Sequence, residues 1–116
     1  KKIVGIGYNG FPVGINDDEL PWEREGEWLD TKYPYVCHAE VNAIMNSSKE
    51  IKGCTVYVTL FPCNECTKFI IQSGIKRIIY YSDKYSHKNF TIASKKMLDL
   101  CDIEYTQYND IKIDIK

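Results

Sequence analysis

His38-Ala39-Glu40, followed at Pro62-Cys63-Asn64-Glu65-Cys66 by a cysteine pair, supplies one imidazole, two thiols and a carboxylate. One imidazole with two thiolates is a zinc donor set. Structural zinc sites close with a fourth protein ligand, whereas catalytic sites leave that corner to water. Three donors beside a carboxylate that is not an evident ligand therefore read as a hydrolytic centre. Zinc lowers the pKa of its water from about 15.7 toward roughly 7, and Glu40 is placed to carry the protons. The rival reading is a closed structural zinc module for protein binding. It requires a fourth protein ligand, for which Cys37, next to His38, is the near candidate.

A C-x-x-C pair alone is weak evidence, since redox motifs and zinc ribbons share it. The upstream H-x-E and the proline directly before Cys63 narrow it to the signature of zinc deaminases that act on nucleobases. The chemistry expected is hydrolytic attack at C4 of a cytosine ring. Glu40 delivers a proton to N3 and a second one to the departing ammonia. Alone, Glu40 reads as a solvated helix carboxylate and His38 as a core histidine; their company decides. Cys37, Cys54 and Cys101 sit in or beside apolar runs and are expected to be small buried hydrophobes. His87, in the polar run 86–89, reads as a surface histidine.

Residues two apart in a helix interior point in different directions, so His38 and Glu40 share a target only at a helix N-terminus. Val41, Ile44 and Met45 recur at helical spacing and predict a helix over 36–48. A strand is expected over 55–60, a helix over 63–73 stopped by Gly74, a strand over 77–82, a helix over 89–101 and a strand over 103–108. Cys63 and Cys66 then share one face of a first turn, where the exposed N–H groups favour thiolates. Ile3 to Tyr8 reads as a strand closed by Asn9-Gly10. Residues 11–35 read as a long ordered loop anchored by Trp22, Trp28, Tyr33 and Tyr35, covering a site or a subunit contact. Ile111, Ile113 and Ile115 alternate with polar residues as an edge strand or a frayed end would. Strands separated by helices predict an α/β fold with helices on the faces of a parallel or mixed sheet, and the metal beyond the carboxyl ends of its strands.

Its 116 residues suit one compact domain. Fifteen Lys and Arg against 16 Asp and Glu leave a charge of −1, which speaks against nucleic acid as a partner and is compatible with a small anionic substrate. Five cysteines, an odd number, point to a reducing compartment, the cytoplasm by default. No run approaches the roughly 18 apolar residues of a membrane span. The chain opens without methionine on a strand already under way, so a segment upstream is expected.

Gly7-Tyr8-Asn9-Gly10-Phe11-Pro12, Tyr35-Val36-Cys37-His38-Ala39-Glu40-Val41-Asn42-Ala43-Ile44, the cysteine pair and Ser82-Asp83-Lys84-Tyr85 together resemble the deoxycytidylate (dCMP) deaminases of the zinc-dependent cytidine and deoxycytidylate deaminase superfamily. The resemblance implies a cytidine-deaminase-like three-layer α/β/α sandwich with a mixed sheet. It implies conversion of dCMP to dUMP for thymidylate synthesis, with His38, Cys63 and Cys66 as zinc ligands and Glu40 as proton shuttle. It also implies that Asn9 contacts base or sugar, that the Ala39 N–H holds the pyrimidine carbonyl, that Asn42 contacts sugar or phosphate, and that Tyr85 packs on the base. Family members are commonly hexamers activated by dCTP with magnesium (Mg2+) and inhibited by dTTP, so the resemblance implies a homo-oligomer with nucleotide effectors. They carry an N-terminal helix and a first strand ahead of the strand that opens here, which makes residues 1–116 an N-terminally truncated single domain. Deaminases of RNA, of single-stranded DNA and of the riboflavin pathway share the zinc motif. The near-neutral charge disfavours the first two, and the match around Asn42 and Tyr85 disfavours the third.

Overall fold

Val41, Ile44 and Met45 lie in a run without glycine or proline, and that run folds as helix α1, Ala39–Met45. The computed structural model describes residues 3–47 and 50–108, which fall into two compact units, Lys1–Ser48 and Lys49–Lys116. The expected strand or frayed end at Ile111, Ile113 and Ile115 lies outside the described residues.

In the first unit α1 starts later than its periodicity predicts, because Cys37 is drawn into an antiparallel bridge with Gly10. The Gly10 N–H donates to the Cys37 carbonyl at 3.1 Å and the Cys37 N–H to the Gly10 carbonyl at 2.6 Å. His38 keeps extended angles, φ −76° and ψ 152°, and becomes the N-cap.

Ile3 to Tyr8, expected as a strand, forms no regular element. Its glycines explain the difference. A Cβ on Gly5 would meet Ser47 Oγ at 2.8 Å, and one on Gly7 would overlap the Ala43 nitrogen and the Ala39 carbonyl oxygen. The segment therefore lies backbone to backbone along α1, an approach that only residues without a side chain permit.

Residues 11–35 form the expected loop, with a short 3-10 turn at Trp28–Asp30. Of the four predicted anchors, Trp22 and Tyr35 make contacts that tie the loop down. Trp22 stacks on Phe11 with ring centroids 4.4 Å apart and donates its indole N–H to the Asp17 carbonyl. The Tyr35 hydroxyl donates to the Leu29 carbonyl at 2.8 Å. Trp28 and Tyr33 are exposed.

The second unit runs β1 (Thr55–Leu60), α2 (Asn64–Gln72), β2 (Arg77–Ser82), α3 (Asn89–Leu100) and β3 (Glu104–Gln107). Threonine, valine and tyrosine fill β1 up to its last position, a composition that fits a pleated surface. The sheet order is β1-β2-β3 and both pairings are parallel, with Val56 opposite Ile78 and Ile78 opposite Tyr105. A mixed sheet was the expectation; among the described residues the one antiparallel pairing is the isolated Gly10–Cys37 bridge. Successive crossovers of one hand between neighbouring parallel strands place their helices on the same face, and α2 packs on α3.

The core of this unit joins Cys66 and Ile70 of α2, Leu98 of α3, Ile78 and Tyr80 of β2, and Phe61, Ile75 and Ile103 from the connections. Removing Ile70, Ile78 and Leu98 from water contributes roughly 1.5–3 kcal/mol each. Phe61 meets Tyr80 and Tyr105 edge-on, at 4.8 and 5.4 Å. Burial raises the phenol pKa of both tyrosines, with the Asp83 charge adding to the first and a hydrogen bond to Asp99 adding to the second. Gly74 ends α2 at φ 84°, as its position predicts, and α3 ends on Asp102 at φ 58°. There the Ile103 N–H reaches the Leu98 carbonyl and the Asp102 N–H the Asp99 carbonyl, the paired bonds of a Schellman cap. Among the described residues no helix is long and apolar enough to cross a membrane.

Candidate metal centre

The junction from β1 into α2 delivers the cysteines. The Phe61 N–H donates to the Ser82 carbonyl at 2.9 Å, and the buried Pro62 presents its carbonyl to Ser94 Oγ at 2.9 Å. Cys63, at φ −73° and ψ 172°, is the N-cap of α2. Its sulfur takes the role a serine oxygen has in other caps, accepting the Cys66 N–H at 3.5 Å. The two sulfurs lie within 4.8 Å of each other. Cys66 is 1% exposed and Cys63 is half-buried, and the pair sits at a helix tip, where the first-turn N–H groups and the helix dipole favour thiolate over thiol. Thr67, next in the chain, is fully buried, and its Oγ1 has no hydrogen-bond partner among the described residues.

The H-x-E motif lies in the first unit. His38 caps α1 and Glu40 lies in its first turn, the helix-tip placement that two residues so spaced require. Asn9 Oδ1 accepts the Ala39 N–H at 2.8 Å, and Asn42 Nδ2 donates to the Tyr8 carbonyl at 2.7 Å. Asn9, Ala39 and Asn42 are thus brought together by bonds to one another's segments. The Ala39 N–H, expected to hold a pyrimidine carbonyl, is engaged by Asn9 in this structure. Tyr85 stands in the turn after β2, with its ring 6.2 Å from that of Phe90 and the Lys84 ammonium 5.3 Å from its centroid.

Cys37 and Cys54 are half-buried. Cys101, expected to be buried, is exposed, because it is the C-cap of α3 and lies beyond that helix's packed face. His87 is exposed, as expected. Ser94 and Thr67 escaped the sequence reasoning, as did the close packing of Gly7 on α1. Thr91, Ser94 and Leu98 share one helical face, a spacing that could have marked Ser94 as buried.

The donor set fits zinc: two adjacent thiolates at one helix tip and an imidazole at the head of another, with softness and number suited to that ion. The family model described as "Cytidine and deoxycytidylate deaminase zinc-binding region" matches residues 1–82. The chain belongs to this family. The family's zinc-binding region therefore contains His38, Glu40, Cys63 and Cys66. Among curated relatives, the deoxycytidylate deaminase of Mus musculus is 58% identical over 109 residues and that of Homo sapiens 56% identical over the same length; each match covers 92% of this chain and 61% of the relative. The probable deoxycytidylate deaminase of Drosophila melanogaster is 49% identical, covering 92% and 56%. The chain thus spans about three fifths of the length of the curated relatives it matches. Among solved structures, dCMP deaminase from the cyanophage S-TIM5 in apo form is similar with a TM-score of 0.67 at 26% identity, covering 92% of this chain and 72% of that one. Its complex with dCMP and dUMP gives a TM-score of 0.65 at 30% identity, covering 88% and 70%. These neighbours agree with the α/β class of the fold.

Proposed function

We propose that this chain is a dCMP deaminase, which hydrolyses dCMP to dUMP and ammonia in a single domain and so supplies the precursor of thymidylate. The observation that carries this reading is the placement of H-x-E and P-C-x-x-C at the heads of α1 and α2, inside the region the family uses to bind zinc. In this proposal His38, Cys63 and Cys66 are the ligands, one imidazole with two thiolates being a zinc donor set. Bound there, zinc supplies the Lewis acidity that makes water a competent nucleophile at neutral pH.

The chain's own groups do the rest. Glu40 takes the proton that water gives up on adding to C4 and passes it to N3. A second transfer moves the remaining proton of the added water from the C4 hydroxyl to the amino nitrogen; ammonia leaves with the C4–N bond pair and the C4 carbonyl of uracil forms, so atoms and charge balance. Asn9 has its Oδ1 on the helix, which leaves its two N–H donors to offer to base or sugar. The Ala39 N–H reaches the pyrimidine carbonyl by exchanging its bond to Asn9. Asn42 contacts sugar or phosphate, and Tyr85 packs on the base. By resemblance to the family, the active form is a cytoplasmic homo-oligomer, a hexamer, regulated by dCTP with Mg2+ and by dTTP.

The test is ammonia release from dCMP, cytidine, dCTP and an adenosine-containing RNA, with wild type and E40Q. The expected result is turnover of dCMP above the others. E40Q should keep one zinc per chain and lose at least about 10²-fold in kcat, the usual contribution of a positioned acid–base group. Near-normal turnover by E40Q refutes the role of Glu40. Metal spectroscopy showing four protein donors favours the structural module instead.

A further inference from the structure

Close to the cysteine pair there is a wholly enclosed polar side chain that neither motif contains. Ser94, in the middle of α3, has 0% exposure. Its Oγ lies 2.9 Å from the Phe90 carbonyl oxygen one turn back, and 2.9 Å from the Pro62 carbonyl oxygen. A hydroxyl has one hydrogen to give. The bond to Phe90 is available to any helical serine, and that carbonyl already has a partner in the helix ladder. Pro62 is different. Its carbonyl precedes the N-cap, and the first carbonyl that α2 itself uses is that of Cys63, taken by the Thr67 N–H at 2.9 Å. The acceptor that needs Ser94 is therefore Pro62.

Three consecutive residues at this junction are tied to three different elements. The Phe61 N–H bonds the last residue of β2, the Pro62 carbonyl bonds α3, and Cys63 Sγ bonds the first turn of α2. The proline ring fixes φ of Pro62, so the plane of the Pro62–Cys63 peptide has one soft angle left, ψ of Pro62. The bond to Ser94 sets that angle.

We propose that Ser94 is a positioning residue for the thiolate pair: by holding the Pro62 carbonyl it fixes the peptide plane from which Cys63 projects, and with it the separation and direction of the two sulfurs. The inference rests on the reading that Cys63 and Cys66 ligate zinc. It adds a residue on α3, outside both motifs, to the groups that define the metal geometry.

The test compares wild type, S94A, C63S and the isosteric pair S94T and S94V. The readouts are zinc release to a chromogenic chelator and the thiolate-to-metal charge-transfer bands of the cobalt-loaded protein. S94A should bind one zinc per chain, release it about tenfold faster, the low end of what outer partners of metal ligands control, and shift the cobalt bands. S94V should release zinc faster than S94T, a comparison that varies the hydroxyl at constant shape and still decides the matter if S94A does not fold. Equal release rates and identical cobalt bands within each pair overturn the role of Ser94 while leaving the zinc centre standing. Unchanged zinc binding by C63S overturns the zinc reading itself.

Discussion

Thr67→Val exchanges the buried, unpartnered hydroxyl of α2 for a methyl group of the same shape. Thr67 has 0% exposure, and its Oγ1 has no hydrogen-bond partner among the described residues. Protein mutational data put the cost of burying such a group at about 1–3 kcal/mol. Both residues are β-branched and close in helix propensity, so the exchange changes little else. Taking the low end, Thr67→Val should stabilise the fold by about 1 kcal/mol. An unfolding entropy of about 2.1 cal/mol/K per residue, applied to 116 residues, converts this to a rise in Tm of about 4 °C. The assay is calorimetric or urea unfolding of the zinc-free protein, repeated after zinc loading, because a ligand that binds only the folded state adds its own stabilisation. A loss of 1 kcal/mol or more in the zinc-free variant would refute the reasoning, since it would mean that the hydroxyl has a partner worth keeping.

Gly7→Ala sets a Cβ against backbone atoms of Ala39 and Ala43 that cannot swing aside. It should cost about 1–3 kcal/mol, and hydrogen exchange should show the Ala39 amide losing the protection that Asn9 gives it; retained protection argues against the close approach. Asp102→Gly relieves a positive φ at the Schellman position and should raise stability by about 0.5–1 kcal/mol, visible in a urea midpoint. Tyr80 and Tyr105 hold their protons more tightly folded than unfolded, chiefly through burial. The folded pKa lies above the unfolded one, so this stability is complete below the ordinary value of 10.0 and is lost as pH rises through the raised pKa. Tyr105→Phe should flatten that alkaline decline, and an unchanged slope would exclude Tyr105 as a contributor.

The second unit was legible because each element carries redundant signals. Gly74 falls where α2 must stop, Thr55 to Thr59 suit a strand and little else, and Cys63 and Cys66 are spaced for one helical turn. Strand and helix limits there match the prediction to within a residue or so. The first unit was harder. An apolar run such as Ile3 to Ile6 looks the same whether its neighbour is a strand or a helix, and nothing local reveals that Gly5 and Gly7 face α1. Trp28 and Tyr33 show the same limit, since a large ring announces a wish for burial and not the surface that grants it. The helix-tip placement of H-x-E and P-C-x-x-C was readable from residue type and spacing. Ser94 was not, because its importance comes from a carbonyl 32 residues away in the chain.

The parallel pairing of β1 with β2 also governs when the proposed ligand pair, Cys63 and Cys66, comes into being. Parallel neighbours cannot zip from a hairpin turn; Thr55 comes beside Arg77 and Leu60 beside Ser82 only after the intervening segment has coiled and closed. That segment is the one that begins with Cys63 and Cys66. Pairing of these strands and assembly of the dithiol tip are thus one kinetic event, so ion capture during refolding should track sheet formation, and until then both thiols stand open to oxidants.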